Sequence, residues 1–277
     1  MSFPPLLQPE RLAEVGVFGG SGFYSLLEGE TRQVSVQTPY GAPSDAFTVG
    51  GIGGVRVAFL PRHGTHHRIP PHAINYRANL WAMASLGVTR VIAPSAAGSL
   101  QSDVRPGDFV ICDQLVDRTY CREQTFYDGP RVTHISFADP YCPDLRQHAV
   151  GAARGQGVTV HDRGTVVVVQ GPRFSTRAES RWYSNQGWQV INMTQYPEAA
   201  LARELELCYV NISLITDYDA GLEGVADIEP VTVDEVVRVM RRNNDRVRQV
   251  IHNLVPLIAT RERTCPCASA LQYAVVS

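Results

Sequence analysis

The feature that most constrains this chain is a series of short, near-continuous apolar runs rich in β-branched residues. Such runs are typical of strands that are covered on both faces of a sheet. The runs are VRVAFL (55–60), VTRVIA (88–93), DFVIC (108–112), TVVVV (165–169) and CYVNISLIT (208–216). Helical segments lie between several of them, and this alternation predicts a three-layer α/β/α fold with ligands near the strand ends.

The predicted helices cover about 73–86, about 143–154, about 197–206 and a long segment near the C-terminus. The first two end at Gly87 and Gly155. The last begins with a capping box, TVDE at 232–235, and continues as one apolar stripe. This stripe consists of Val236, Val237, Met240, Val247, Val250, Ile251 and Leu254. We find no repeat or linker and predict a single domain over 1–277, with a short extension at about 1–12 and a cysteine-containing tail at about 260–277.

Composition excludes several function classes. All 25 basic residues are arginine, so neither a Walker A loop nor a pyridoxal-phosphate Schiff base can form. The glycine-rich stretch GSGFYS (20–25) carries Ser25 where a dinucleotide fingerprint needs its third glycine. A formal net charge of −2 gives no electrostatic reason to expect nucleic acid or an anionic membrane as partner. The N-terminus lacks signal-peptide character, so we expect a soluble, cytoplasmic protein.

Small or polar residues follow three of the predicted strands, and a fourth such cluster precedes the predicted helix at about 197–206. Each cluster alone is typical of a turn, a helix cap or a solvated surface. Because the carboxyl ends of parallel strands meet at one edge of a sheet, the four together could bind a small anion beside a pair of carboxylates. The clusters are Arg62 and His63; Ser95, Ala96 and Gly98; Asn192, Met193 and Thr194; and Asp217 and Asp219.

An ordered set of motifs resembles one family over about residues 15–255. The motifs are GVFGGSGFY, TPYGAPSD, PRHGTHHRIPPHAINYRANLWA, SAAGSL, QGPRFSTRAES, INMT and TDYDAG. They resemble the methylthioadenosine phosphorylases, trimeric-type members of the purine nucleoside phosphorylase family. The resemblance implies a phosphorylase/hydrolase-like fold with a central mixed sheet. It also implies a homotrimer or a dimer of trimers.

The resemblance assigns roles by position. Orthophosphate binding is implied for Ser21, Arg62, His63, Ser95, Ala96 and Thr194, with Arg62 as a bidentate clamp. Nucleoside binding is implied for Phe174 on the purine face, Met193 and Asn192 at the ribose, His134 lent by a neighbouring subunit, and Val233 and Val236 around the 5′ group. The two valines also fit the apolar stripe of the last helix, so core packing is an equal alternative for them.

The two aspartates carry the implied chemistry. Asp217 would protonate the purine N7 as phosphate attacks C1′, and Asp219 would accept a hydrogen bond from the 6-amino group. The charge of Asp219 would help to keep Asp217 protonated. The expected substrates are methylthioadenosine and phosphate, with no organic cofactor or metal. Alternatives are a phosphorylase for another 5′-modified adenosine (5′-deoxy or 5′-halo), a 6-oxopurine phosphorylase, a nucleosidase, or a non-enzymatic purine-binding or redox protein.

Six cysteines in a cytosolic chain are ordinarily reduced and buried, and no pair here has zinc-finger spacing. The sequence therefore predicts no metal site. The tail motif TCPCAS resembles that of a disulfide-bearing, heat-stable branch of the family. That resemblance implies a Cys142–Cys208 disulfide and a Cys265–Cys267 link. The alternative is four buried thiols with an exposed pair in the tail.

Overall fold

The computed structural model describes residues 11–19, 26–130, 132–222 and 233–274, with the backbone alone for 233–237. The strands are β1 Val15–Gly19, β2 Glu28–Val34, β3 Phe47–Ile52, β4 Val55–Pro61, β5 Arg90–Ser99, β6 Phe109–Val110, β7 Gln114–Arg118, β8 Val160–His161, β9 Thr165–Val169, β10 Val190–Asn192 and β11 Cys208–Tyr218. The helices are α1 Tyr76–Ser85, α2 Pro143–Arg154, α3 Arg177–Asn185, α4 Gln195–Glu204 and α5 Val233–Ala259.

The described strands form one mixed sheet. Its main path runs β2-β3-β4-β1-β5-β10-β9-β7, and β11, β6 and β8 continue from the other edge of β5. The β1–β4, β1–β5, β5–β11 and β9–β10 pairs are parallel, whereas β5–β10 and β6–β11 are antiparallel. The predicted mixed sheet is confirmed, and β5 is its central strand.

Two buried apolar cores lie on opposite faces of this sheet. On one face, α1 and α4 pack on side chains such as Phe18 and Val91. On the other face, α2 and α5 pack on Val17 and Ile92, the residues next to Phe18 and Val91 in the chain. Because successive side chains of a strand point to opposite faces, one apolar run supplies both cores. The three-layer prediction is confirmed.

Element boundaries agree closely where local signals are strong. The strand 165–169 and the helix 143–154 occur as predicted. The first helix begins at Tyr76 instead of near 73, because the Asn75 side chain caps it by accepting from the Ala78 N–H. The predicted strand 108–112 shortens to β6. Thr232, which begins the predicted capping box of α5, lies outside the described residues.

A fifth helix, α3, was missed by the sequence analysis. Its capping box is complete: the Thr176 hydroxyl accepts from the Glu179 N–H, and the Glu179 carboxylate accepts from the Thr176 N–H. The apolar face of this helix is short, which explains why periodicity alone did not reveal it. Among the described residues, no helix combines the length and the apolar character that crossing a membrane requires.

Candidate active site

A cavity of about 450 Å³ lies where β4, β5, β10 and β11 end. Its volume falls in the range of small-molecule sites. Arg62 and His63 enter it directly after β4, and Pro94 to Gly98 of β5 form its floor. Residues 191–194, Leu214 and residues 216–220 line the sides that β10 and β11 provide. The four clusters that the sequence analysis placed at one sheet edge therefore meet in one cavity.

The floor exists because one edge of β5 changes partner. On that edge β1 pairs with residues 90–92 and β10 pairs with residues 98–99. Among the described residues, 93–97 of β5 carry no strand partner on that edge, although β11 follows the opposite edge along its whole length. Ser95 and Ala96 lie in this gap and line the cavity. The divergence of β1 and β10 thus opens the sheet at the position where a ligand can approach the backbone.

Arg62 is a buried cation that is already paired. It is 3% exposed, and its Nε and Nη2 donate to the two oxygens of Glu198 at 2.7 and 2.9 Å. Its Nη1 donates to the Pro94 carbonyl at 3.1 Å. Burial by itself disfavours the charged form, but the Glu198 carboxylate raises the pKa of Arg62 above its usual value. One N–H on each of Nη1 and Nη2 remains available for an anion.

His63 contributes a neutral ring. Its Nδ1 is 2.9 Å from the Ile69 carbonyl oxygen, so Nδ1 carries the proton and Nε2 is an acceptor. Burial lowers the pKa of His63 to about 4, and the Arg62 charge adds to this effect. With Glu198 compensating Arg62 and His63 uncharged, this side of the cavity offers hydrogen bonds more than net positive charge. Because Nε2 is an acceptor, it can bind an anion only through a hydrogen bond from a proton that the anion carries.

Two hydroxyls complete the anion side. The side-chain amide groups of Asn192, Gln195 and Asn211 present donors to Ser95 Oγ at 3.3, 3.3 and 3.0 Å and so supply both of its lone pairs. Because its neighbours all donate to it, the Ser95 proton is free to donate into the cavity. Thr194 is the N-cap residue of α4, yet its hydroxyl makes no capping bond. The Thr194 hydroxyl is therefore available to a ligand in the cavity.

The opposite wall carries the two carboxyl groups. Thr216 is an extra residue in β11, since Ile215 pairs with Ala97 and Asp217 pairs with Gly98. Such a bulge reorients the side chains beside it. Burial raises the pKa of Asp217 to about 6, the Thr216 hydroxyl opposes this, and the negative charge of Asp219 adds to it. Burial is therefore the larger cause, which corrects the emphasis that sequence reasoning placed on Asp219.

Asp219 presents an unsatisfied acceptor. Its Oδ2 is buried and has no hydrogen-bond partner among the described residues. Burial raises the pKa of Asp219, against the opposing effects of the Ser180 hydroxyl and the Ala220 N–H. A buried acceptor without a partner costs free energy unless a ligand supplies the donor. An amino group in the cavity would satisfy this oxygen.

Comparisons with known proteins agree with this geometry. A model of the phosphorylase superfamily matches residues 14–256. The purine nucleoside phosphorylase of Streptomyces coelicolor is 53% identical, covering 94% of each chain. The S-methyl-5′-thioadenosine phosphorylase of Mycolicibacterium smegmatis is 52% identical, covering 91% of this chain and 93% of that one.

A solved structure agrees in fold as well. A methylthioadenosine phosphorylase from an antarctic soil metagenomic library superimposes with a TM-score of 0.89 at 40% identity, covering 95% of this chain and 92% of that one. This chain belongs to the phosphorylase superfamily. The family resemblance found in the sequence is therefore confirmed.

The phosphorylase cavity contains most residues that the sequence analysis selected. Lining it are Arg62, His63, Ser95, Ala96, Thr194, Phe174, Asn192, Met193, Asp217 and Asp219. Phe174 does so although its side chain is 79% exposed. His134 is exposed and does not line the cavity of its own chain. Ser21 lies outside the described residues, and so do the side chains of Val233 and Val236.

Other residues of the cavity were missed by the sequence analysis. Met240, assigned to the packing stripe of α5, lines the cavity, and so do Asn243 and Asn244. Asn243 is fully buried, donates to the Ile215 carbonyl at 2.9 Å, and leaves its Oδ1 without a partner among the described residues. An available signal was an amide between Met240 and Val247, within the apolar stripe. Such a residue on a buried helix face needs a polar partner.

Arg122 was missed as well. Its guanidinium donates to the backbone carbonyls of Met193 and Gln170 at 3.0 and 2.8 Å. These two residues belong to the INMT and QGPRF motifs. A single side chain thus ties together the two segments that carry the implied nucleoside-binding residues. Because these contacts span 71 and 48 positions along the chain, no local pattern could have indicated them.

The cysteine predictions need correction. The tail pair Cys265 and Cys267 is buried instead of exposed, and Cys121 is the exposed thiol. Cys142, Cys208, Cys265 and Cys267 form one cluster, and all six cysteines are free thiols. The Cys142–Cys208 and Cys265–Cys267 disulfides are therefore not present in the structure.

The buried Arg62–Glu198 pair leads to a stability prediction. We expect Glu198→Ala to lower the free energy of unfolding by about 3–5 kcal/mol, because it leaves Arg62 charged and unpaired in the interior. The matched control is Tyr209→Phe, which removes only the hydroxyl that donates to Glu198 at 2.7 Å. We expect this variant to lose about 1.5–3 kcal/mol. Urea unfolding measures both, and an equal or smaller loss in Glu198→Ala would contradict the assigned pairing.

Proposed function

We propose that this phosphorylase uses inorganic phosphate to split S-methyl-5′-thioadenosine into adenine and 5-methylthioribose 1-phosphate. The observation that carries the proposal is the pairing of two functions in one cavity. One wall offers N–H and O–H donors to an anion, from Arg62, Ser95 and Thr194. The facing wall holds Asp217, whose pKa burial raises to about 6.

The proposed reaction needs both walls. Cleavage of the N9–C1′ bond leaves the bonding electrons on the purine and cationic character on the sugar. The Asp217 carboxyl donates its proton to N7, which neutralises the departing base. A phosphate oxygen then forms the new bond to C1′ from the opposite side, with inversion. The anion also stabilises the cationic sugar before it attacks.

The proposed preference for a purine that carries a 6-amino group rests on Asp219. Its Oδ2, which has no partner among the described residues, can accept a hydrogen bond from an exocyclic amine but only repels the carbonyl oxygen of a 6-oxopurine. Relatives named both for purine nucleosides and for methylthioadenosine occur at similar identity. The Asp219 carboxylate, and not the names of the relatives, is therefore the reason for proposing adenine as the purine. A 6-oxopurine phosphorylase remains the alternative that the specificity assay tests.

The 5′ end and the assembly belong to the same proposal. His134 lies away from its own cavity, which is compatible with its serving the site of a neighbouring subunit in a homotrimer or a dimer of trimers. Val233 and Val236 would then border the 5′-alkylthio group.

We further propose a single domain over 1–277, of which the family model spans 14–256. Phosphate acts as co-substrate, and the steps described require no organic cofactor or catalytic metal. We also propose a cytoplasmic location.

A phosphate-dependent assay of adenine release tests the proposal. We expect rapid release from methylthioadenosine with phosphate and only background release without it. The products separate the alternatives: 5-methylthioribose 1-phosphate supports phosphorolysis, whereas free methylthioribose formed without phosphate would indicate a nucleosidase. Substrates with 5′-deoxy or 5′-halo groups, assayed in parallel, establish which 5′ substituent gives the highest kcat/KM. Ser95→Ala is the diagnostic variant, since it should raise KM for phosphate more than KM for the nucleoside.

A further inference from the structure

Four cysteine side chains from three separate segments converge at one point. Cys142 is the N-cap residue of α2, Cys208 is the first residue of β11, and Cys265 and Cys267 belong to a turn after α5. Their sulfur atoms all lie within 4.8 Å of one another. The four residues are 1%, 2%, 8% and 1% exposed, respectively. The proposed reaction uses none of them.

The spacing of the sulfurs suits a single tetrahedral ion. Zinc binds thiolates at about 2.3 Å, which places the sulfurs of a tetrahedral site about 3.8 Å apart. Here the Cys208 and Cys265 sulfurs are 3.3 Å apart, and the widest separation in the cluster stays within 4.8 Å. Two disulfides need only two separate pairs of sulfurs. Mutual proximity of all four is what a shared ligand requires.

The surroundings supply what a charged thiolate cluster needs. Cys142 Sγ lies at the N-terminus of the twelve-residue helix α2 and accepts from the Leu145 N–H at 3.5 Å. A helix N-terminus favours negative charge. The Arg263 guanidinium donates to the Glu206 carbonyl, two residues before Cys208. The remaining wall is the apolar core between α2 and α5, which excludes water from the sulfurs.

The tail is already held in place by contacts that do not involve sulfur. The Thr264 hydroxyl donates to Asp144 at 3.0 Å, and the Leu271 N–H donates to Glu206 at 3.1 Å. Asp144 lies two residues after Cys142, and Glu206 lies two residues before Cys208. These bonds bring Cys265 and Cys267 to their partners, so the ligands are arranged before an ion binds.

We propose that Cys142, Cys208, Cys265 and Cys267 bind one zinc ion as a four-thiolate structural site. Each thiol releases its proton and donates a sulfur lone pair to the metal, so the step involves no oxidation or reduction. The ion joins the C-terminal tail to α2 and β11. Asp217 lies nine positions after Cys208 in β11, a distance of about 30 Å along the strand. The zinc site is therefore structural and separate from catalysis.

Metal analysis of the purified full-length protein tests the proposal. We expect one zinc per subunit and, after unfolding with a chelator but without reductant, six reactive thiols. Cys265→Ser combined with Cys267→Ser should abolish zinc binding and lower the melting temperature. Cys121→Ser is the matched control, because its thiol is exposed and outside the cluster. It should retain the full zinc content.

A second measurement covers the case in which the double variant fails to fold. Wild-type protein stripped by a chelator and reloaded with Co²⁺ should show the absorption of tetrahedral thiolate coordination, and Zn²⁺ should displace it. Missing thiols without zinc would indicate disulfides and overturn the proposal. Six thiols with no uptake of Zn²⁺ or Co²⁺ would also overturn it. The assay of adenine release is independent of these outcomes, so the zinc site and the proposed function can fail separately.

Discussion

Replacing Asp217 with Asn is expected to lower kcat/KM for methylthioadenosine by roughly 10²–10⁴, the usual contribution of a general acid. The amide has the shape of the carboxyl group but no proton of suitable acidity for N7. Since Asp217 lies in the wall of the cavity, the variant should still bind adenine. Steady-state kinetics at saturating phosphate measures the loss, and adenine binding by calorimetry verifies that the site is intact.

The pH dependence identifies the group that is lost. A carboxyl must be protonated to act as an acid, and burial raises the pKa of Asp217 to about 6, so the active form persists to higher pH than for an ordinary aspartate. The ratio of wild-type to Asp217→Asn activity should therefore be largest below pH 6 and decline as the pH rises through this value. Taking the ratio removes the ionisation of phosphate itself, which affects both proteins alike.

A neighbouring variant sharpens the assignment. The Thr216 hydroxyl donates to Asp217 Oδ1 at 2.6 Å and stabilises the ionised carboxylate. Thr216→Val should raise the pKa of Asp217 further and move the decline in activity to higher pH. A ratio independent of pH, or a shift to lower pH in Thr216→Val, would assign the proton donor to another group.

The second large effect concerns the choice of base. Wild-type enzyme should prefer methylthioadenosine to methylthioinosine by a factor of up to about 10⁴–10⁵, because a 6-oxopurine leaves the buried Asp219 acceptor unpaired and repelled. In Asp219→Asn, the amide can donate to O6. We therefore expect the preference to fall by at least tenfold, mainly through a gain on the 6-oxopurine. The measurement is kcat/KM for both nucleosides in both proteins.

Two comparisons keep this result interpretable. Loss of the Asp219 charge also removes a contribution to the raised pKa of Asp217, so activity on methylthioadenosine should decline as well. Asp45→Asn is the control: Asp45 holds the loop after β4 through the Thr65 N–H and hydroxyl and does not line the cavity. It should leave the preference unchanged. Comparable kcat/KM values for the two bases in the wild-type enzyme would overturn the role given to Asp219.

The sequence alone determined the features that depend on local pattern. The apolar runs at 165–169 and 208–216 indicated buried strands, because β-branched residues covered on both faces leave a continuous apolar signal. Arg62, Ser95 and Asp217 were recognised because each follows an apolar run, and Thr194 because it belongs to the ordered INMT motif. Strand ends at one sheet edge then brought them into one cavity, as expected.

Only the tertiary structure decided the features that depend on distant partners. Glu198 pairs with Arg62 across 136 positions, and the four clustered cysteines come from three segments. The bulge at Thr216 and the gap in the edge of β5 arise from strand register, which the pairing of whole strands determines. Sequence patterns report which face of an element is apolar. The neighbour that each buried polar atom meets is settled when the elements pack.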